Sequence, residues 1–335
     1  MSEKIAVIGG GSWGTTLAGL LADKGNEVSL WVFEEDLAAR MARNHVNDLY
    51  LPDYKIPDGV TVTSDLSASA TGKDIILTVV PSHVTRGVLA KLAPAVKDDA
   101  IFVSATKGIE NDTLMTIHEV MEDVLPKGFH HRLAFLSGPS FAKEVCLRMP
   151  TAVSVASRDP AVAKRVQAAF STEYFRVYTS PDVIGVELGG SLKNVVAIAA
   201  GCSDGLGFGH NTRAALITRG LAEIARLGMA MGANPLTFSG LSGMGDLMLT
   251  CTGELSRNRT VGYKLGQGIK LADILSEMKM VAEGVKTSKA AYELSKKYDV
   301  PMPITEQVYL LLYEDKGPKQ VVRDLMTRDL KSEIG

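Results

Sequence analysis

The sequence predicts an α/β fold: a doubly wound parallel sheet over residues 1–180, followed by an all-helical domain over 181–335. Three observations predict it. Short apolar runs alternate with helical patterns through the first half. The first run leads straight into Gly9, Gly11 and Gly14, spaced G-x-G-x-x-G. After Pro181 strand-like runs nearly vanish and long helical patterns take over.

Each element has its own signal. Ile5–Ile8 is the first strand, and Thr15–Lys24 a helix stopped by Gly25. Val28–Phe33 is a second apolar strand, and Asp36–His45 a helix with Leu37 and Met41 on one face. Val60–Thr63 is a short strand. Ile75–Val80 and Ile101–Ala105 are continuous apolar runs, as parallel strands covered on both faces require. Pro81 ends the former, and Ser82 can cap the next helix. Leu114–Leu125 reads as a helix. Leu133–Leu136, Ala152–Ala156 and Phe175–Tyr178 are further strands, separated by helical Phe141–Leu147 and Ala161–Phe170. In the second half, Val183–Ala200 and Arg213–Gly232 are long helices, the first interrupted by Gly189-Gly190. Glycines inside a helix cost roughly 1 kcal/mol each, so this pair marks a close approach by another backbone or a ligand. Thr260–Gly266, Leu271–Met278, Val285–Tyr298 and Glu306–Tyr313 complete the helical domain, with glycine-rich loops expected over Gly201–Asn211 and Ser239–Gly245.

Composition narrows the function. The 335 residues suffice for two domains with sizeable cores. With a net charge of -2, nothing argues for a nucleic-acid or membrane surface. Three dispersed cysteines, Cys146, Cys202 and Cys251, form no disulfide framework and suit a reducing cytoplasm. The apolar runs read as too short for the roughly 20 residues that span a bilayer. The N-terminal run ends in a glycine loop and not a cleavage site, so it does not read as a signal peptide. The six histidines show neither H-E-x-x-H nor Cys/His ligand spacing, so no metal is expected.

The glycine spacing points to a Rossmann-type dinucleotide site. Gly9 allows the tight turn, Gly11 the approach of a diphosphate, and Gly14 close helix-on-strand packing. The diphosphate would sit on free N–H groups at the helix start. Glu34, twenty residues past Gly14, stands where an acid accepts from a ribose 2′-hydroxyl. Open α/β sheets bind ligands beyond the carboxyl ends of their strands. Gly9–Trp13, Phe33–Glu34, Pro81–His83, Lys107 and Gly138–Ala142 therefore stand out.

Nicotinamide chemistry at a carbonyl also needs a group that gives or takes a proton. A lysine serves if burial or nearby cations lower its pKa. Lys107 follows the fifth main strand, and Lys193 lies in the apolar Leu188–Ala200 segment. Lys193 could equally snorkel from an amphipathic helix. Ser256-Arg257-Asn258-Arg259, ahead of a helix expected near Thr260, could hold a phosphate or form an ordinary solvated loop. Asp246 could orient a lysine or close an Asx turn. Glu283 could cap a helix.

Eight segments together are more specific. Gly-Gly-Gly-Ser-Trp-Gly-Thr (9–15), Val-Pro-Ser-His (80–83), Ala-Thr-Lys-Gly (105–108) and Ser-Gly-Pro-Ser-Phe-Ala (137–142) lie in the first half. Gly-Val-Glu-Leu-Gly-Gly-Ser-Leu-Lys-Asn (185–194), Gly-Asp-Leu-Met-Leu-Thr-Cys-Thr (245–252), Ser-Arg-Asn-Arg (256–259) and Val-Ala-Glu-Gly (281–284) follow. In this order, over nearly the whole chain, they resemble the bacterial type of the glycerol-3-phosphate dehydrogenase [NAD(P)+] family. The resemblance implies interconversion of sn-glycerol 3-phosphate and dihydroxyacetone phosphate, mainly by reduction with NAD(P)H, supplying phospholipid synthesis in the cytoplasm.

It also implies residue roles. Lys193 is the general acid/base, and Lys107 contacts substrate and cofactor. Gly138 and Ser140 line the substrate site and Ala142 the cofactor site. Asp246, Ser256, Arg257 and Asn258 bind glycerol phosphate, with Asn194 and Thr250 close by. Ser12 and Trp13 lie under the diphosphate, with Gly9, Gly11 and Gly14. Val281, Glu283 and Arg257 reach the cofactor from the helical domain. The family suggests a homodimer. Where many relatives carry His or Arg for a 2′-phosphate, this chain has Phe33, Glu34 and Glu35, with Arg40 and Arg43 nearby. The choice between NADH and NADPH stays open at this point. Ketopantoate reductases and 6-phosphogluconate or hydroxyisobutyrate dehydrogenases share the layout, and a non-catalytic dinucleotide sensor would share the glycine loop. The Ser-Arg-Asn-Arg and Ala-Thr-Lys-Gly segments, and an intact Lys193, speak against these.

Overall fold

A computed structural model describes residues 2–278, 282–330 and 332–333. The first half alternates as expected: β1 (Lys4–Ile8), α1 (Ser12–Asp23), β2 (Glu27–Trp31), α2 (Glu35–Asn44). A small hairpin follows, β3 (Val46–Asn47) and β4 (Leu51–Lys55), then β5 (Val60–Thr63), α3 (Leu66–Ala70), β6 (Ile75–Thr78) and α4 (Ser82–Leu92). The sheet continues through β7 (Ile101–Ser104), α5 (Ile117–Val124), β8 (Leu133–Ser137), α6 (Ala142–Cys146), β9 (Thr151–Ala156), α7 (Pro160–Phe170) and β10 (Phe175–Ser180). The helices that follow are α8 (Val183–Gly205), α9 (His210–Ala230), α10 (Asp246–Thr252), α11 (Arg257–Gly266) and α12 (Leu271–Glu277). The last three are α13 (Glu283–Lys297), α14 (Pro303–Tyr313) and α15 (Pro318–Met326).

Eight strands form the main sheet in the order β10-β9-β8-β7-β6-β1-β2-β5. β1 lies between β6 and β2 and is parallel to both, with Ile8 opposite Thr78 on one side and Trp31 on the other. The chain leaves β1 where the strand order changes direction, the usual ligand crevice of such sheets. Alternation across β1 explains its composition. Ile5 and Val7 face a core shared with Leu17, Leu20 and Leu21 of α1. Ala6 and Ile8 face a second core with Leu89 of α4 and Val120 of α5. Both faces are covered from Ile5 to Ile8, so the only polar position is the exposed Lys4 that starts the strand.

The sheet departs from the expected parallel arrangement at β9, which pairs antiparallel with β8, Leu136 opposite Val155. β10 then runs parallel to β9. Between β8 and β9 stands only the five-residue α6. A helix that short covers under half the length of the strands it joins, so the chain turns back instead of crossing over. The helix expected over Leu114–Leu125 begins only at Ile117. Thr116 and Glu119 form a reciprocal capping box there, and Leu114 is left-handed at φ 61°.

Two compact units partition the chain. Residues 1–190 and 233–246 form the first, and residues 191–232 and 247–335 the second. In place of the expected loop, α8 runs on through Gly201 to Gly205. A Cβ on Gly201 would lie 2.0 Å from the Arg259 carbonyl oxygen, and one on Gly262 2.0 Å from that of Ile198. These glycines serve a backbone-to-backbone crossing of α8 and α11, not a turn. The loop expected over Ser239–Gly245 is also helical, a wide π-type turn over Leu241–Gly245 that runs into α10. Contrary to the reading of short apolar runs, α8 is long and apolar enough to cross a membrane by length and composition. Some 89% of its apolar window is buried inside the protein, as in a core helix.

Candidate functional site

The glycine loop is built as its spacing requires. Gly9 sits at φ 127°, and a Cβ there would lie 2.7 Å from the Val79 carbonyl oxygen. A Cβ on Gly14 would lie 1.9 Å from the Gly9 oxygen. A Cβ on Gly11 would meet nothing within 4 Å, so the space beside it is open for a phosphate to meet the backbone at the N-terminus of α1. These features fit a dinucleotide. α1 starts at Ser12, three residues before the expected Thr15, so Ser12 and Trp13 already supply first-turn N–H groups. The Ser12 hydroxyl donates to the Tyr50 carbonyl at 2.6 Å, and the Trp13 ring packs against Phe175 at 6.4 Å.

Sequence reasoning missed the clamp on this loop. Asn47, fully buried, donates to the Gly10 carbonyl and to Thr15 Oγ1, both at 2.8 Å, and accepts from the Tyr50 N–H. Only the hairpin β3–β4 brings it there. We expect Gly14→Ala to destabilise the protein by about 1–3 kcal/mol, because a methyl is forced against fixed backbone. Dinucleotide affinity should fall at least tenfold in a fluorescence titration. An unchanged dissociation constant would contradict this account of the loop.

Beyond β2, Phe33 is 77% exposed and stands edge-on to Trp31. Glu34 accepts a 2.9 Å hydrogen bond from the Tyr50 hydroxyl. Arg40 directs its guanidinium onto Asp48 through two bonds, 2.8 and 3.0 Å, and Arg43 donates to the Ala39 carbonyl. The two arginines that complicate the cofactor choice thus already have local acceptors.

A second centre forms after β7 and β8. Lys107 donates to Asp246 Oδ2 at 2.7 Å and to the Gly138 carbonyl at 3.2 Å. Asp246 is 1% exposed and opens α10, so it holds a lysine, the first of its two readings. Gly138 is at φ 144°, where a Cβ would strike Val153, and Ser140 donates to its carbonyl at 3.0 Å. Ala142 starts α6. α8 is anchored near its start by Glu187, which accepts from the His118 N–H at 2.9 Å and shares a 2.5 Å bond with His118 Nδ1. A Cβ on Gly189 would lie 2.4 Å from the Ser242 oxygen, the close backbone approach its Gly-Gly pair signalled.

A third group lies in the second unit. Lys193 is 6% exposed on α8, so the snorkelling alternative does not hold. Its neighbour Asn194 accepts from Asn258 Nδ2 at 2.9 Å. Asn258 Oδ1 in turn accepts from the Gly284 N–H at 2.9 Å, which ties α8 to the starts of α11 and α13. Ser256-Arg257-Asn258-Arg259 is not a loop before a helix near Thr260. Ser256 is the N-cap and accepts from the Arg259 N–H, so the next three residues are the first turn of α11. Arg257 is open to solvent by area. Desolvation by surrounding protein still pulls its guanidinium below the ordinary value, while Glu283 at the head of α13 opposes that shift. Thr250 is buried on α10. Val281 lies outside the described residues.

Relatives carry the same chain from end to end. Residues 4–163 match the family described as NAD-dependent glycerol-3-phosphate dehydrogenase N-terminus, and residues 182–323 match its C-terminus. A glycerol-3-phosphate dehydrogenase [NAD(P)+] of Geobacter sulfurreducens is 62% identical over 333 residues, 99% of each chain. One of Geobacter metallireducens is 60% identical over 335 residues, 100% of each. The crystal structure of glycerol-3-phosphate dehydrogenase from Coxiella burnetii superimposes with a TM-score of 0.94 at 41% identity, covering 98% of this chain and 99% of that one. The alternative dehydrogenase readings and the silent sensor give way to this match, and the chain belongs to the NAD-dependent glycerol-3-phosphate dehydrogenase family.

Proposed function

We propose that this chain interconverts sn-glycerol 3-phosphate and dihydroxyacetone phosphate with NAD(P)H, mainly in the direction of reduction. The observation that carries this reading is the second-unit cluster: a buried Lys193 beside Asn194, tied through Asn258 to a first helical turn that carries Arg257. Residues 1–180 serve as the dinucleotide-binding domain and 181–335 as the substrate and catalytic domain. When bound, the nicotinamide supplies the hydride for C2. Lys193, as ammonium, gives the proton to the C2 oxygen, and as amine takes it back in oxidation. Lys107, fixed by Asp246 and the Gly138 carbonyl, stabilises negative charge developing on that oxygen. Arg257 takes the phosphate, helped by the N–H groups that open α11. Asn258 has one amide hydrogen left for the phosphate after its bond to Asn194. Gly138, Ser140, Thr250, Ser256 and Asn194 complete the substrate surface. Gly9, Gly11, Ser12, Trp13, Gly14, Phe33, Glu34, Ala142, Val281 and Glu283 serve the dinucleotide, together with Lys107 and Arg257. Supply of glycerol 3-phosphate for phospholipid synthesis, a cytoplasmic location and a homodimer follow from the same reading. Loss of reduced-nicotinamide absorbance on adding dihydroxyacetone phosphate tests it directly. No loss with either cofactor would end it.

Glu34 favours NADH, since its carboxylate opposes a 2′-phosphate and Arg40 is engaged by Asp48. NADH should support turnover. Glu34→Gln should move the NADPH-to-NADH ratio of kcat/KM up by roughly tenfold, about 1.4 kcal/mol. A strong NADPH preference that the variant leaves unchanged would show that Glu34 does not discriminate.

A further inference from the structure

Asp204 lies near the end of α8, its side chain 5% exposed, between two guanidinium groups. Arg213 of α9 places Nε and Nη2 at 3.0 and 2.7 Å from Oδ1. Arg259 of α11 places the same atoms at 3.0 and 2.7 Å from Oδ2. Neither arginine is spare, so Arg259 is withdrawn from the ligand role that the Ser-Arg-Asn-Arg segment suggested.

The helix pair that Asp204 joins is unusual in a second way. Gly201 and Gly205 of α8 face Gly262 and Gly266 of α11, with almost no side chain between them. A Cβ on Gly205 would lie 2.1 Å from the Tyr263 oxygen, and one on Gly266 2.3 Å from that of Cys202. Helices normally fix their axial register by ridges of side chains set into grooves. A glycine-lined crossing is close but smooth, so register must come from a directional contact. Buried ion pairs are best attested in that role. Asp204 and Arg259 form such a contact across this crossing. Arg259 is the third residue of α11, and Arg257 and Asn258 precede it in the same turn.

We propose that Asp204 is a positioning residue for phosphate recognition: it sets the register of α11 on α8, and so places Arg257 and Asn258 relative to Lys193 and Asn194. The inference rests on the reading of Arg257 as the phosphate ligand. Small misplacement far from the reacting atoms is costly, so Arg259→Lys should raise KM for dihydroxyacetone phosphate roughly tenfold, with kcat within about threefold. Dinucleotide affinity should fall much less than substrate affinity, because the glycine loop is untouched and Arg257 is only one of the dinucleotide's contacts. Asp204→Asn should behave alike, or unfold; Arg259→Lys keeps the test available in that event. Arg213→Lys is the decisive comparison, because it weakens the same carboxylate without touching α11. Equal loss of thermal stability in the two lysine variants, with a raised KM only in Arg259→Lys, supports the proposal. An equal rise in KM in both, or a KM unchanged in Arg259→Lys, overturns it and leaves the triad a purely structural device. Arg257→Ala, measured alongside, separates the two levels. An unchanged KM there removes the phosphate reading itself, whereas a raised KM there with none in Arg259→Lys removes only the register role.

Discussion

Lys193→Met should lower turnover by a factor of roughly 10²–10⁴, the usual loss when a general acid/base is removed. Lys193 is 6% exposed, and its neighbours along α8, Leu192, Val195 and Val196, are each at 1% or less. Methionine keeps most of the volume in that setting, so packing changes little. What disappears is the proton carried to and from the C2 oxygen. The remaining catalytic apparatus stays in place: Lys107 remains fixed on Asp246, and the first turn of α11 remains tied to Asn194. Reduced cofactor should therefore bind within about threefold of wild type, since no contact of the glycine loop is altered. Stopped-flow and steady-state absorbance with dihydroxyacetone phosphate, beside a fluorescence titration with NADH, read both quantities. Near-normal turnover with cofactor binding intact would move the acid/base role elsewhere, with Lys107 the first residue to test. A solvent isotope effect that vanishes together with the turnover would tie the loss to proton transfer rather than to misfolding.

What could be read from the sequence depended on how local each cause was. The β1–loop–α1 unit rests on neighbours in the chain: an apolar strand, three glycines and a helix start. Its spacing therefore survives intact into the structure. The pair Gly189-Gly190 also announced itself, because two adjacent glycines weaken an apolar helix unless something must pack closely there. Gly201 and Gly205 did not. A glycine that lets two backbones touch and a glycine that ends a helix look the same in one dimension. Only the matching glycines of α11, some sixty residues later, tell them apart. The same holds for the polar contacts. Lys107 and Asp246 are 139 positions apart, and Asn47 reaches the glycine loop only because a two-residue strand turns it inward. The reversal at β9 was hidden because an apolar strand reads alike in either direction. At Ser256 the error was local: its capping role moves the helix start back by three residues and turns an expected loop into a first turn.

That first turn is where the second large effect is expected. Arg257→Ala should cost on the order of 2–5 kcal/mol in binding of dihydroxyacetone phosphate, the loss typical when one partner of a hydrogen-bonded charge pair closed over by ligand is removed. The surroundings of the guanidinium set the size of the effect. It reaches solvent, yet the protein around it disfavours the charge enough to pull it below the ordinary arginine value, with Glu283 only partly compensating. Nearby protein strengthens the pull of this cation on an incoming dianion, while the solvent that reaches it screens part of that gain. Lysine cannot replace it fully, because it offers a point charge instead of a planar fork, so Arg257→Lys should recover only part of the affinity. The clearest measurement compares two substrates. Wild type should use dihydroxyacetone phosphate far better than dihydroxyacetone, which lacks the phosphate. In Arg257→Ala kcat/KM for the phosphate ester should collapse while that for dihydroxyacetone hardly moves, so the ratio between them falls at least about thirtyfold. Cofactor affinity should fall much less. A ratio preserved in the variant would place the phosphate away from α11 and leave the turn that Ser256 caps with a structural role alone.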